Sequence, residues 1–296
     1  MLRINSLTKI FILFAIILLS FDGNKKHSVI IMSDLHYDST EVRKVVLDSV
    51  IQRLNEMEPS QKVAEINSVI VLGDITESGT EYQWKNFVSS FGLNGEAGLK
   101  YPVYEFAGNH DGNIDGIVRN GIRKRNPERN NITDISDNGL HYSWDIGDFH
   151  FVALGIYPGL EWDPDCEWCH YFNESFKDPE MSLAFLKKDL ENNLSDKDQP
   201  LFLCFHYGWD DFSLLWWTKE EQERFYSVIK DYNVKGIFHG HDHAIEHYGW
   251  KGIDVWSAGS PQRGDKTGNF LVLTFGKDEM SVFEAGIDSI KVIKSE

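Results

Sequence analysis

Five short groups of polar residues, each following an apolar run, carry the side chains of this 296-residue chain that could do chemistry. They are Asp34-Leu35-His36, Gly73-Asp74, Gly108-Asn109-His110-Asp111, His206 and Gly240-His241-Asp242-His243. Their carboxylate, imidazole and amide groups suffice for two metal ions, and the lack of a thiolate favours divalent transition metals such as Fe, Mn, Zn or Ni. A pair of such ions promotes attack on phosphorus. The residue types therefore predict a dinuclear hydrolytic site.

The runs that precede these groups have the β-branched, apolar composition of buried strands. We predict strands over residues 29–32, 69–72, 102–107, 201–205 and 234–238. Apolar residues at helical spacing predict helices over 40–57, 81–91 and 181–194, and Thr218 to Glu221 form a capping box that opens another helix. This alternation predicts βαβ units, with parallel strands whose carboxyl ends converge at one edge of a sheet.

Three further segments lie outside this alternation. Residues 113–138 are rich in Asn, Arg and Asp, and we predict a long irregular excursion there. Residues 140–146 and 150–154 predict a hairpin that turns at Gly147-Asp148. From His247 onward, short β-type runs with glycine-containing turns predict an antiparallel region.

The five groups, in this order, resemble the signatures of the calcineurin-like metallophosphoesterase superfamily, which are DxH, GDxx[DE], GNH[DE], a lone His and GHxH. The resemblance spans residues 34 to 243. It implies an α/β fold, a two-sheet β-sandwich flanked by helices, with a dinuclear metal site at the loop edge. It also implies one metal held by Asp34, His36, Asp74 and His243. The other metal would be held by Asp74, Asn109, His206 and His241, so that Asp74 bridges the two.

The same resemblance implies that His110 binds no metal and instead protonates or stabilises the leaving oxygen, with Asp111 holding its ring. The expected activity is that of an exported phosphatase, in which a hydroxide bridging the metals attacks a phosphoric ester in line. A phosphodiesterase acting on cyclic nucleotides or other diesters is the alternative reaction. A metal-binding interaction scaffold without turnover is the alternative of another class. All seven ligand positions and His110 are present, which disfavours the scaffold.

Two residues separate the chain from purple acid phosphatases, which resemble this superfamily. Those enzymes place a tyrosine near the second signature, where Glu77 stands, and replace the first histidine, which is present as His36. We expect Glu77 to hydrogen-bond a metal-binding histidine or to cap the helix that follows. The Asp34-x-His36 and Gly-Asn-His-Asp forms look closer to the bacterial cyclic-nucleotide phosphodiesterase branch.

Aromatic residues directly follow His206, and two interpretations of them stay open. Tyr207 and Trp209 form a wall for the organic group of the substrate, or they pack beneath a loop. Of the histidines outside the predicted ligand set, His239 is expected at a strand end or supporting a ligand. His150 is expected to have a packing or solvated role.

The net charge of the chain disfavours some classes of binding partner. The chain has 29 Lys and Arg against 46 Asp and Glu, a formal net charge of −17. Such a surface repels polyanions, so a nucleic acid partner is disfavoured and a small phosphate ester is the expected substrate. The oligomeric state is left open.

The N-terminus predicts export. Arg3 and Lys9 precede ten apolar residues, Ile10 to Leu19, so residues 1–23 are interpreted as a signal peptide. The run is shorter than the ~20 residues that span a bilayer, and an uncleaved membrane anchor formed by residues 10–21 is the alternative. The expected location is secreted, periplasmic or extracellular, with a catalytic domain over residues 27–296. In an exported protein Cys166 and Cys169 could form a local disulfide, whereas Cys204 is expected to be a buried apolar residue.

Overall fold

The computed structural model describes residues 25–38, 41–161, 178–263, 267–287 and 289–295. The predicted signal peptide or anchor, Cys166 and Cys169 lie outside these ranges. Within them, every helix is too short or too polar to cross a membrane. Cys204 has a free, fully buried thiol, as expected for a small apolar residue.

Strands and helices alternate along most of the described chain. The strands are β1 (His27–Met32), β2 (Ile66–Val71), β3 (Val103–Glu105), β4 (Ile132–Ile135), β5 (Tyr142–Ile146), β6 (Phe149–Ala153), β7 (Leu201–Cys204), β8 (Val234–His239), β9 (Ile245–Trp250), β10 (Ile253–Ala258), β11 (Phe270–Gly276), β12 (Glu279–Ala285) and β13 (Ile290–Ser295). The helices are α1 (Glu41–Glu56), α2 (Glu81–Ser90), α3 (Ile117–Arg125), α4 (Ser182–Asn193) and α5 (Lys219–Ile229). Short 3₁₀ turns cover Asn126–Glu128 and Ser213–Leu215.

The strands form two mixed sheets. The first has the order β13-β12-β11-β1-β2-β3, and the second has the order β4-β5-β6-β7-β8-β10-β9. Strands β1, β2 and β3 are parallel neighbours in the first sheet, and β6, β7, β8 and β10 are parallel neighbours in the second. The five polar groups follow the carboxyl ends of β1, β2, β3, β7 and β8. Parallel strands in both sheets therefore deliver the polar groups to one edge of the molecule, as predicted.

Successive side chains along each strand point to opposite faces of the sheet, and this alternation forms the apolar core. In β1, Val29 and Ile31 pack into an apolar cluster shared with the second sheet, whereas Ile30 and Met32 pack into a cluster that includes residues of α1, α2 and α3. In the second sheet, Phe202 points into the shared cluster, and residues on the opposite face pack with α4 and α5. A side-chain period of two thus gives each sheet one face for the other sheet and one face for helices. This confirms the helix-flanked sandwich.

The prediction of an irregular excursion over residues 113–138 was wrong. The segment contains α3, a 3₁₀ turn and β4. Helix α3 is short and mostly polar, and it is anchored by buried Val118 and Ile122, one turn apart, so that few apolar residues reveal its period. Its Arg123 side chain donates to the carbonyls of Ile114 and Asn138, contacts that only the folded chain creates.

The hairpin of β5 and β6 and the capping box of Thr218 and Glu221 at the start of α5 are confirmed. The C-terminal region is antiparallel through β11, β12 and β13, as predicted, and β9 pairs antiparallel with β10. Strand β10 also lies parallel to β8, which ties this region to the strand that precedes His241.

Candidate metal centre

Three groups of described side chains at the loop edge could hold a metal ion, and two of them match the predicted ligand sets. One contains Asp34, His36 and His243, and the other contains Asp74, His206 and His241. Within each group the ligand atoms lie within 4.8 Å of one another. The first group joins the loop after β1 to the loop after β8, and the second joins loops after β2, β7 and β8. Both sheets therefore contribute to the centre.

The geometry of the second group, Asp74, His206 and His241, favours a bound cation. His206 Nδ1 lies 2.7 Å from the carbonyl oxygen of Leu72, which can only accept, so Nδ1 carries a proton. In the neutral ring Nε2 then has a lone pair. It faces Asp74 Oδ1 at 3.3 Å and Asn109 Oδ1 at 3.1 Å. Three electron-pair donors converge, an arrangement that a bound metal ion or a second ring proton satisfies.

The first group has the same character. His36 Nε2 and His243 Nε2 face each other at 3.2 Å, and His243 Nε2 lies 3.2 Å from Asp34 Oδ1. Asp34 Oδ1 is buried and receives no hydrogen bond from the described residues. Its other oxygen accepts from the amide of His241 at 2.9 Å. A backbone amide thus positions one carboxylate oxygen of Asp34, and the other oxygen is available to bind a cation.

Asp74 stands between the two groups. Its Oδ2 lies 3.9 Å from His36 Nε2, and its Oδ1 lies 3.3 Å from His206 Nε2. Oδ1 also accepts a 2.8 Å hydrogen bond from the amide of His110. The two oxygens of one carboxylate therefore face different groups.

The electrostatics agree with this arrangement. Burial raises the pKa of Asp74, but His206 lowers it more, to about 2. Burial lowers the pKa of His206, but Asp74 and Asp34 raise it to about 9. Burial also raises the pKa of Asp34, and contacts with His243 and His36 hold it well below its usual value. The carboxylates stay ionised, so the centre favours positive charge between them.

The backbone at the centre is strained. Five candidate ligands adopt left-handed φ values, namely Asp34 (54°), His36 (43°), Asp74 (47°), His241 (73°) and His243 (59°). Non-glycine residues adopt this conformation at a cost, and such residues cluster at functional sites. Gly108 permits the tight packing, because a Cβ there would lie 2.3 Å from Asp74 Oδ1 and 2.9 Å from His206 Nε2.

Comparison with known proteins agrees with this geometry. The family model for calcineurin-like phosphoesterases matches residues 27–244. The chain belongs to this family. It is accordingly a metal-dependent phosphoester hydrolase of a dinuclear family. The strands from β9 to β13 lie beyond the match and complete both sheets.

Three known proteins are similar to the chain in sequence or in fold. It is 26% identical over 232 residues to the probable glycerophosphodiester phosphodiesterase GpdQ of Arcobacter nitrofigilis, over 77% of this chain and 72% of that protein. A dimetal phosphatase from Danio rerio has the same fold, with a TM-score of 0.61, 17% identity and coverage of 90% of this chain and 98% of the other. GAP50, the anchor in the inner membrane complex of Plasmodium, has a TM-score of 0.54 and 14% identity, over 92% and 88% of the two chains.

The role expected for Asp111 in this phosphoesterase was wrong. Its carboxylate accepts hydrogen bonds from the amides of Ile75, Thr76 and Gly108 and from the Thr76 hydroxyl. Instead of Asp111, the carbonyl oxygen of Glu77 contacts His110 Nδ1, at 2.9 Å. Asp111 therefore joins the loop after β2 to the loop after β3. Sequence reasoning missed this because the partners are backbone amides.

For the aromatic residues after His206, the structure favours the second of the two open interpretations, packing beneath a loop. Tyr207 is fully buried behind the ring of His241, 4.7 Å between centroids, and does not line an open pocket. Trp209 packs against Trp217 and Trp250, so packing is the better description of both. Phe212 is 42% exposed, and its ring lies 5.1 Å from that of His241. Phe212 lies in a segment that is rich in aromatic residues and leucine, residues 207–217, and its sequence context does not mark it out.

Two supporting residues were anticipated in outline. Glu77 Oε2 lies 3.2 Å from His36 Nδ1, so Glu77 stands beside a candidate ligand as expected, but the two atoms are not aligned as a hydrogen bond. The capping box of α2 is formed by Thr80 and Gln83. His239 is buried at the end of β8, where its Nε2 accepts from the Tyr248 hydroxyl at 2.6 Å. It supports the loop that carries His241 and His243.

Proposed function

We propose that the two groups hold two divalent transition-metal ions and that this phosphoesterase hydrolyses small phosphate esters between them. Asp34, His36 and His243 would hold one ion, while Asn109, His206 and His241 would hold the other. Asp74 would bind both, which its two differently directed oxygens favour. The single observation that carries the proposal is the convergence of His206 Nε2, Asp74 Oδ1 and Asn109 Oδ1. One ring proton cannot make a full hydrogen bond to both oxygens at once, whereas a metal ion can bind all three atoms.

The donor set fits such ions. It consists of imidazole, carboxylate and amide groups, which suit Fe, Mn, Zn and Ni-like metals. When bound, the pair would supply an activated water and neutralise charge on the phosphoryl oxygens. The protein's contribution is to hold the ligands on strained, hydrogen-bonded loops, so that little reorganisation is needed at the moment of reaction.

We propose that His110 supplies the proton that the leaving oxygen of the ester takes up. Its Nδ1 faces the Glu77 carbonyl, so Nδ1 carries one proton and Nε2 is the atom free to exchange another. As the oxygen of a water molecule bonds to phosphorus and that water releases a proton to solvent, the bond between phosphorus and the leaving oxygen breaks. His110 Nε2 would give its proton to the leaving oxygen. Asp111 and Asp74 contribute indirectly, because both accept hydrogen bonds from the loop that carries His110.

A phosphodiesterase is the second candidate, and the similarity to the probable glycerophosphodiester phosphodiesterase favours it. A matched pair of substrates separates the two reactions. Metal-free protein would be reloaded with Mn²⁺, Fe²⁺, Zn²⁺ or Ni²⁺ in turn and assayed on p-nitrophenyl phosphate and bis(p-nitrophenyl) phosphate. Preference for the first indicates a monoesterase, and preference for the second indicates a diesterase.

A scaffold without turnover remains the competing class, and the fold shared with the Plasmodium anchor shows why fold alone cannot decide it. The complete set of candidate ligands and His110 supports turnover. Protein that binds two metals yet cleaves neither substrate, nor a panel of cyclic nucleotides, would support the scaffold and contradict the proposed function.

We also propose that the chain is exported, because a basic segment and ten apolar residues precede the fold. Expression of the full chain in a secretory host, followed by N-terminal sequencing of the product, tests this. Recovery outside the cell without residues 1–23 supports a signal peptide. A membrane-bound product with an intact N-terminus supports the anchor, and a cytosolic product contradicts both.

A further inference from the structure

A carboxylate in this protein lies between a candidate metal ligand and an arginine. Glu77 Oε2 lies 3.2 Å from His36 Nδ1 and also contacts Arg263 Nη2. The His36 side chain is fully buried, whereas those of Glu77 and Arg263 are 31% and 26% exposed. Glu77 therefore joins a partly exposed arginine to the buried histidine. Arg263 lies 186 residues from Glu77, and nothing in its local sequence indicates the contact.

Glu77 favours one of the two His36 nitrogens as a metal ligand. Its carboxylate lies 3.2 Å from Nδ1, not aligned as a hydrogen bond, and its negative charge favours a ring proton on that atom. Nε2 then keeps its lone pair, and it is Nε2 that faces His243 Nε2 at 3.2 Å and Asp34 Oδ1 at 3.7 Å. A carboxylate behind a metal-binding histidine also raises the basicity of the ring and fixes its orientation.

The main chain of Glu77 also fixes His110. Its carbonyl oxygen lies 2.9 Å from His110 Nδ1, and its amide donates to the carbonyl of Tyr37 at 3.0 Å. The rings of His36 and His110 meet edge to face, with centroids 4.8 Å apart. A displacement of Glu77 would therefore disturb both a ligand and the proposed proton donor.

The loop that carries Arg263 is tied to the loop that carries His36. Ser260 Oγ donates to the carbonyl of Asp34 at 2.7 Å and accepts from the amide of Arg263 at 3.0 Å. Gln262 Nε2 donates to the carbonyl of Leu35. Arg263 is thus held beside Glu77 by hydrogen bonds that do not involve its own side chain, and its guanidinium stays charged at every relevant pH.

We propose that Arg263 is a positioning residue, which holds Glu77 against His36 and thereby raises the affinity of the Asp34–His36–His243 group for its metal ion. The second group has no equivalent dependence, because the backbone carbonyl of Leu72 orients His206. Loss of Arg263 should therefore weaken one metal site and spare the other. This inference rests on the proposed function.

The test is a calorimetric titration of the metal-free full chain with Mn²⁺, and separately with Zn²⁺. Arg263→Met should lower the affinity of one of two sites by about 10–100-fold, the usual effect of removing a group that supports a ligand. Arg263→Lys should recover part of the loss, because it restores the charge. Arg224→Met is the matched control, since Arg224 forms an exposed pair with Glu220 on α5 and should bind metal as the wild type does.

Kinetics on p-nitrophenyl phosphate provide a second readout. Arg263→Met should need more metal for half-maximal activity and regain most of the wild-type kcat at saturating metal, with little change in KM. Unchanged metal affinities at both sites would overturn the inference, and so would normal metal affinity with a raised KM, which would mean that Arg263 contacts substrate. If Arg263→Met does not fold, Arg263→Lys and Glu77→Gln in the same titration decide it.

Failure of this inference is distinguishable from failure of the proposed function. Wild-type protein that binds two metal ions, with Arg263→Met indistinguishable from it, contradicts the positioning role alone. Wild-type protein that binds no metal contradicts the proposed function itself.

Discussion

Among the residues that the structure describes, buried histidines lie against carboxylates at the loop edge and at the start of β6. At the start of β6, His150 Nδ1 lies 2.7 Å from Asp145 Oδ1, and His150 Nε2 lies 2.8 Å from Asp189 Oδ2. At the loop edge, His206 Nε2 faces two oxygens, and the two nitrogens of His36 and His243 face each other. The residue types are similar, but the positions of the protons differ.

The His150 cluster is complete without a metal. A doubly protonated imidazole donates once to each carboxylate, and Asp189 is further satisfied by Ser143 and Asn193. At the loop edge, electron-pair donors converge on shared points, and Asp34 Oδ1 receives no hydrogen bond from the described residues. Each nitrogen of His150 has its own carboxylate, whereas at the loop edge one nitrogen faces two oxygens and two ring nitrogens face each other. This difference in geometry, which residue composition does not show, separates a structural ion pair from a candidate metal centre.

Removal of a ligand histidine should have the largest effect, and it should distinguish the two clusters most clearly. His206→Ala should lose bound metal and lower kcat/KM by about 10³-fold or more, because several kcal/mol of charge stabilisation disappear. His150→Gln is the matched variant, a buried histidine removed from the other cluster, and it should keep its metal. Metal analysis and initial rates on the same preparations check both. Normal metal content in His206→Ala would refute its role as a ligand.

His110→Ala should separate catalysis from metal binding. We expect full metal content and a kcat that falls by about 10²–10⁴-fold for esters with poor leaving groups, because the proton donor is lost. The loss should shrink for p-nitrophenolate, which leaves without protonation. Rates across a series of leaving groups test this. A uniform loss across the series would show that His110 acts in another way.

His150→Gln should affect stability and leave chemistry unchanged. It removes the partner that donates to buried Asp189, so we expect the free energy of unfolding to fall by about 2–4 kcal/mol. Urea unfolding of metal-free protein measures the loss. Wild-type stability in this variant would mean that the ion pair contributes nothing, and that the His150 cluster is not the structural counterpart described here.

The pH dependence of stability gives the smallest effect. Burial lowers the pKa of His150, but hydrogen bonds to Asp145 and Asp189 raise it to about 9, above the ordinary 6.5. A pKa raised in the folded state stabilises fully below 6.5, and the stability is lost as the pH rises through 9. We expect His150 to contribute a fall of about 2 kcal/mol between about pH 6.5 and about pH 8.5 in metal-free wild type. His206, whose pKa is also raised to about 9, adds a fall of the same sign that His150→Gln keeps. The slope should therefore be smaller in His150→Gln by the His150 contribution, and an equal slope in both proteins would assign all of it to other groups.

Much of the centre could be predicted because its ligands follow strand ends. Asp34, Asp74 and His206 each come directly after a buried apolar run, and parallel pairing brings such positions together. What the sequence could not show depends on contacts distant in the chain. Asp111 bonds to backbone amides near residue 75, and Glu77 meets Arg263 across 186 residues. Helix α3 was not predicted, because its two buried apolar residues, Val118 and Ile122, are too few to show a helical period in the sequence.

Metal stoichiometry tests the central claim most directly. Wild type, His206→Ala and His150→Gln would each be loaded with Mn²⁺ or Zn²⁺, freed of unbound metal and analysed by mass spectrometry of the elements. If His206 is a metal ligand and His150 is not, we expect two ions per chain in wild type and in His150→Gln, and at most one in His206→Ala. Wild type that retains no metal, or equal metal loss in His150→Gln and His206→Ala, would contradict the central claim.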